Sequence, residues 1–87
     1  AAPAPVSDGP QGWAVQVGSF SSEDRAVALR DRLRRRAFTA FVEKATLDSG
    51  QNSYRVEVGP ELQRSDAEKL QAKLQRDAKL HGIVVSH

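Results

Sequence analysis

An α+β domain of βαββαβ order, with four antiparallel strands and two helices on one face, is the fold class the sequence predicts. Three observations lead to it. Trp13 to Arg36, "WAVQVGSFSSEDRAVALRDRLRRR", is nearly repeated as Tyr54 to Asp77, "YRVEVGPELQRSDAEKLQAKLQRD". A shift of 41 positions lays Val15, Gln16, Val17 and Gly18 on Val56, Glu57, Val58 and Gly59, and Ala26, Leu29 and Leu33 on Ala67, Leu70 and Leu74. Two copies are too few for a solenoid and fit a domain of two similar halves. Each copy passes from a period of two to helical spacing, and "LDSGQN" between the halves carries turn-forming residues flanked by strand-like runs.

Ala1 to Gln11 come first and read as the end of a linker. "AAPAPVSDGPQG" is rich in proline, glycine and alanine and has little to bury. It lacks the basic start and apolar run of a signal peptide, and no stretch of the chain approaches the length of a membrane span. A Pro/Ala-rich start without an initiator methionine leads to the expectation of an excised module, residues 12–87, whose anchor lies upstream of Ala1.

Trp13, Val15 and Val17 alternate with Ala14, Gln16 and Gly18, as a half-buried strand requires. Ser21, Ser22, Glu23 and Asp24 then form a helix start, because a serine oxygen accepts from orphan N–H groups and acidic side chains complement the dipole. Ala26, Leu29, Leu33 and Ala37 give the first helix its apolar stripe. A second strand, about Thr39 to Thr46, leads through the hairpin to a third, Ser53 to Val58, which Gly59 and Pro60 close. Ser65 to Glu68 match a capping box, and Ala67, Leu70, Leu74 and Ala78 make the second stripe. His81 and Gly82 stop that helix, and Ile83, Val84 and Val85, β-branched and short, make a fourth strand.

Two βαβ-like halves joined by a hairpin give the ferredoxin-like or RNP-like split βαβ, with expected strand order 4-1-3-2. Trp13, Val15, Val17, Tyr54, Val56 and Val58 then face the helices. Ala14, Gln16, Gly18, Ser53, Arg55 and Glu57 are left on the uncovered side.

These assignments bound function. At 87 residues the chain makes one domain with a modest core, which excludes a large multi-domain enzyme. It has no cysteine, hence neither disulfides nor thiolate metal ligands. Thirteen basic and eleven acidic residues give +2, a mild bias short of a nucleic-acid-scale excess. The uncovered positions of the central strands carry no aromatic on which bases would stack and include a carboxylate, which speaks against RNA. "RDRLRRRAF" is basic, yet its arginines go around several sides of the helix with Asp31 among them, so it reads as a solvated face with the stems of Arg30 and Arg36 lying beside Leu33. His81 and His87 have no acidic partner at metal-ligand spacing, and no nucleophile elbow or phosphate cradle is present. A non-catalytic module without cofactor or metal is expected. It is expected to be monomeric, since the sequence offers no heptad repeat or long apolar surface helix.

"VQVGSF", Val15 to Phe20, and "YRVEVGP", Tyr54 to Pro60, spaced by a helix and a hairpin, resemble the markers of a SPOR domain, and the resemblance covers Gly12 to His87. It implies a peptidoglycan-binding module of the bacterial envelope. Such modules recognise glycan strands denuded of stem peptides, sit in the periplasm at division septa, and are tethered to the inner membrane by a flexible linker. Carried over by motif, the glycan-contacting positions fall on Gln16, Ser19, Arg55 and Ile83. Strand order 4-1-3-2 would set Ile83, Gln16 and Arg55 side by side. Where many members have tryptophan two residues before the arginine, this chain has Ser53, so either Tyr54 or Phe41 is expected to supply the stacking surface or the affinity is expected to be lower, with Val85 as a further apolar contact. Glu61 stands where the family commonly has phenylalanine, and Leu62 is expected to fill that core position.

The ligand chemistry suits these residue types. Loss of the stem peptide frees a lactyl carboxylate on every second sugar, which a guanidinium takes in a charge-assisted, bidentate bond. Glutamine donates and accepts toward N-acetyl and hydroxyl groups, and serine adds a small hydroxyl. Plainer readings stand beside these. Gln16 is also an ordinary polar alternate, Arg55 also suits an ion pair with Glu57 or a cross-strand neighbour, and Ile83 suits the core equally. Strict alternation turns Ser19 away from Gln16 unless the chain bends between them. A different class of function, a protein-docking module that uses the open sheet or an edge strand, is the alternative.

Overall fold

Residues 12–86 are described by a computed structural model; the linker expected at 1–11, and His87, lie outside them. Six elements follow in the expected order: β1 (Trp13–Phe20), α1 (Glu23–Arg35), β2 (Ala40–Thr46), β3 (Asn52–Glu61), α2 (Arg64–Ala78) and β4 (Ile83–Ser86). The strands make one antiparallel sheet in the order β2-β3-β1-β4, which is the expected 4-1-3-2 read from the other edge.

Both helices bury their stripes on the same side of that sheet. Ala26, Leu33, Ala67, Leu74 and Ala78 cluster with Val15, Val56, Val58 and Ala40, and Trp13, Val17, Phe20, Leu29, Tyr54 and Leu70 pack around them. Leu33, Leu74, Val15, Val56 and Val58 are the largest fully buried side chains. Each contributes about 1.5–3 kcal/mol by leaving water.

The 41-residue repeat is visible as a pseudo-two-fold relation. Exchanging β1 with β3 and β2 with β4 reproduces the sheet order, and the equivalent pairs Ala26 and Ala67, Leu33 and Leu74, are buried alike. On such an axis, equivalent positions meet. Gln16 pairs directly with Glu57 across β1 and β3, and Arg36 Nη1 donates to the Asp77 carbonyl oxygen at 2.7 Å between the helix ends.

Helix ends depart from the sequence reading. α1 begins as expected, with Ser22 Oγ accepting from the Arg25 N–H at 3.5 Å and Glu23 and Asp24 in the first turn. It stops at Arg35, however, and Ala37 is not on its stripe. Ala37 takes a left-handed conformation (φ 68°) and donates to Arg34 O, while the Phe38 N–H bonds Leu33 O, so Phe38 turns into the core in its place. In α2 the capping box does not form. The helix starts earlier, at Arg64, with the Asp66 and Ala67 N–H groups already donating to Gln63 O, which puts Ser65 inside the first turn. Glu68 instead reaches Arg64 (Oε2 to Nε, 3.4 Å). Lys79, left-handed at φ 59°, ends α2, ahead of His81 and Gly82.

Gly82 serves the strand that follows. A Cβ there would overlap Val15 Cγ1 and crowd the Gln16 carbonyl oxygen, so only glycine lets the chain come this close to β1. The Gly82 carbonyl accepts from Gln71 Nε2 at 2.6 Å, which ties the approach to β4 onto α2. β3 also runs past its expected end, through Gly59 and Pro60 to Glu61. Leu62 consequently falls in the short link to α2 and is 86 % exposed, so it fills no core position. Trp13, half-buried, occupies this end of the sheet, with the Arg64 guanidinium 5.5 Å from its ring centre.

Candidate functional site

Register decides what the uncovered face displays, since residues paired across strands share a side. Phe41 pairs with Glu57, Glu57 with Gln16, and Gln16 with Ile83, so one rung crosses all four strands. At strand spacing it spans about 14 Å. A second rung, two residues along β3, holds Glu43, Arg55 and Ser19. Ser53 lies beyond it opposite Ala45, and Val85 lies on the other side of the first rung, opposite Ala14. A shallow depression of about 210 Å³ sits here, lined by Gln16, Glu43, Arg55, Glu57, Val85 and Ser86.

Gln16 and Ser19 share this face because β1 is not regular between them. From the Gln16–Glu57 pair to the Gly18–Val56 pair, β1 advances two residues while β3 advances one. The extra residue, Val17, makes a bulge that returns the following side chains to the opposite sides from those that alternation predicts. Two expectations change. Ser19 joins the open face opposite Arg55, and its Oγ lies 2.8 Å from Ser53 Oγ. Gly18, read as uncovered, instead lies on the helix side, where a Cβ would press on the Phe20 ring and Leu29.

Of the expected contacts, Gln16, Ser19, Arg55 and Ile83 lie on the open face with Phe41, Ser53 and Val85. Tyr54 does not. It alternates with Arg55, opposes Phe20 and Lys44, and packs on the core side, which leaves Phe41 as the aromatic of this face. The expected row of Ile83, Gln16 and Arg55 is also adjusted, because Glu57 stands beside Gln16 and Arg55 lies one rung on, against Ser19. Ile83 is 59 % exposed and is not core. Ala14 shares the side of Gln16 but is fully buried.

Electrostatically the face is mixed. Among the described residues, half-buried Arg55 forms no ion pair or side-chain hydrogen bond, so the plainer reading of a salt bridge to Glu57 or to a cross-strand neighbour is not what the fold shows. Glu57 is only 2 % exposed although no helix covers it. Glu43, opposite Arg55, was not singled out in the sequence. Alternation from Phe41 along β2 carries the signal, once the hairpin register is known.

The basic run on α1 is dispersed, as its pattern predicts, though Arg30 and Arg36 have specific partners. Arg30 pairs with Asp31 at 3.0 Å, Arg34 Nε donates to Ala40 O, and Arg36 reaches across to α2. Among the described residues no group of His, Asp and Glu is arranged to hold a metal, and no helix is long and apolar enough to cross a membrane.

Fold and face together define a class, a small split βαβ domain whose helices cover one side of the sheet and whose other side displays a guanidinium, amide, hydroxyl and apolar surface. Within that class the chain belongs to the SPOR domain family, whose model matches residues 9–86. Similar solved structures include the RlpA SPOR domain from Pseudomonas aeruginosa (24% identity, 85% of this chain and 97% of that one, TM-score 0.71). The peptidoglycan binding domain of the B. subtilis cell wall lytic enzyme CwlC is also similar (24% identity, 91% and 92% covered, TM-score 0.69). A third is the SPOR protein DedD (21% identity, 88% and 39% covered, TM-score 0.67). At these identities the likeness shows the fold. No curated protein sequence matches the chain.

Proposed function

We propose that this domain is a non-catalytic peptidoglycan-binding module whose ligand is the denuded glycan strand, and that it carries a tethered cell-division protein to the septum on the periplasmic side of the inner membrane. The observation that carries the reading is the convergence of Gln16, Ser19, Arg55 and Ile83, from three adjacent strands, on the one sheet face that no helix covers. Membership of the SPOR family and the likeness to a peptidoglycan binding domain support it.

Recognition follows from the side chains. Arg55, without an ion pair or side-chain hydrogen bond among the described residues, takes the lactyl carboxylate in a charge-assisted hydrogen bond that an amide-linked stem does not offer. Gln16 exchanges hydrogen bonds with N-acetyl groups, and the Ser19 and Ser53 hydroxyls serve ring hydroxyls beside them. Phe41, Ile83 and Val85 supply apolar contact for sugar C–H faces, Phe41 in place of the tryptophan common at position 53. The domain acts as a monomer.

Co-sedimentation with protein-free sacculi, intact against amidase-treated, tests the reading. Binding to treated sacculi alone, lost in folded Gln16→Ala and Arg55→Ala variants, is the expected result. Equal failure on both preparations overturns it, and binding that a soluble glycan does not displace redirects the search to a protein partner of the same face.

A further inference from the structure

Six arginines lie on α1 and its C-cap, and the fold engages three of them through their side chains: Arg30 on Asp31, Arg34 on Ala40 O and Arg36 on Asp77 O. Arg25, Arg32 and Arg35 make no ion pair or side-chain hydrogen bond among the described residues. Two of these, Arg25 and Arg32, are seven residues apart. That spacing is two turns of helix, so they share one face about 10.5 Å apart along the axis. Together with Phe20, Ala28 and Leu29 they line an open cavity of about 310 Å³. Its apolar lining is ordered from below. Phe20 and Leu29 both reach over Gly18, where a Cβ would stand 3.0 Å from Phe20 Cε2 and 3.3 Å from Leu29 Cδ2. Among the described residues no acidic side chain lines the cavity.

We propose that this groove docks an acidic peptide segment of a partner protein, one apolar side chain seated against Phe20 and Leu29 and a carboxylate on each side paired with Arg25 and Arg32. Charge complementarity argues for it, because uncommitted guanidiniums beside an apolar surface bind carboxylates in a fixed fork and an aliphatic group between them. Spacing argues for an extended peptide. Side chains at i, i+2 and i+4 of a strand point one way and span about 13 Å, which long arginine side chains accommodate. A membrane surface would call on a broad basic face, whereas three of these six cations are held elsewhere. Phe20 points to the helix side and Ser19 to the open face, so the groove stays accessible while the open face is occupied. The inference therefore stands independently of the glycan reading.

The test is an amide chemical-shift titration of the whole domain with a synthetic peptide containing Glu-Ser-Leu-Ser-Glu, and with its Gln-for-Glu counterpart. Saturable shifts at Phe20, Arg25, Leu29 and Arg32 are expected. Affinity should fall at least tenfold with the Gln peptide and with the Arg25→Gln/Arg32→Gln double variant, whose glutamines keep helix propensity, and should be unchanged in Arg55→Ala. No saturable binding, equal binding by the double variant, or shifts elsewhere overturns the proposal. So does binding to phosphatidylglycerol vesicles in place of the peptide, lost in the double variant, which would make the groove a membrane contact.

Discussion

Arg55→Ala separates recognition from stability. Arg55 sits half-buried on the open face with no ion pair or side-chain hydrogen bond among the described residues, so its removal takes only stem contacts from the folded state. Surface changes of that kind fall within about 0.5 kcal/mol. With a urea m-value of about 1.5 kcal/mol/M, the midpoint moves by less than roughly 0.3 M. Binding should respond on a different scale. A charge-assisted hydrogen bond contributes about 1.5–3 kcal/mol, and at 1.4 kcal/mol per decade its loss weakens affinity about 10- to 150-fold. Arg55→Lys keeps the charge without the planar fork and should fall between. Co-sedimentation isotherms on amidase-treated sacculi, paired with urea denaturation of the same preparations, read both quantities. Unchanged affinity in Arg55→Ala refutes the carboxylate contact, and a midpoint drop of about 1 M or more refutes the claim that Arg55 is structurally uncommitted.

Ala37→Gly should raise stability by about 0.5–1 kcal/mol in urea melts, because Ala37 occupies the left-handed region at φ 68° and is exposed. Leu33→Ala and Leu74→Ala, equivalent in the repeat and both fully buried, should each cost about 2–5 kcal/mol and resemble one another within about 1 kcal/mol; a large inequality would show that the halves do not share the core evenly. Gly82→Ala should destabilise by about 1–3 kcal/mol and shift the amide resonances of Ile83 to Ser86, since its Cβ collides with Val15. Retention of the wild-type spectrum would contradict that contact.

Periodicity made the element order legible, and the hairpin with connection rules made the strand order legible. Both work because burial on one side imposes a regular signature. The misreadings lie where backbone geometry is set by something less regular. Ala37 and Lys79 end the helices in left-handed conformations that glycine would have announced. Ser65 to Glu68 spell a capping box, yet backbone bonds to Gln63 O start the helix sooner. The bulge at Val17 has no sequence signature of its own, and it alone decides that Ser19 faces Arg55 while Gly18 lies under Phe20. Alternation alone puts Tyr54 with the core; the family's tryptophan, absent at position 53, is the one signal that points it to the open face. Glu43 stayed hidden because its position depends on pairing through the hairpin, information that no single strand contains.

The pseudo-two-fold axis passes through the open face where Gln16 meets Glu57. Had both positions carried one residue, and both flanks matched, a chain laid across them would meet the same chemistry in either direction. They do not match: amide faces carboxylate, and Arg55 corresponds in the other half to the fully buried Ala14. A symmetric scaffold thus presents an asymmetric surface. A polymer bound across it as proposed, having two distinguishable ends, would meet different chemistry in its two directions, and a preferred polarity along the strand would follow.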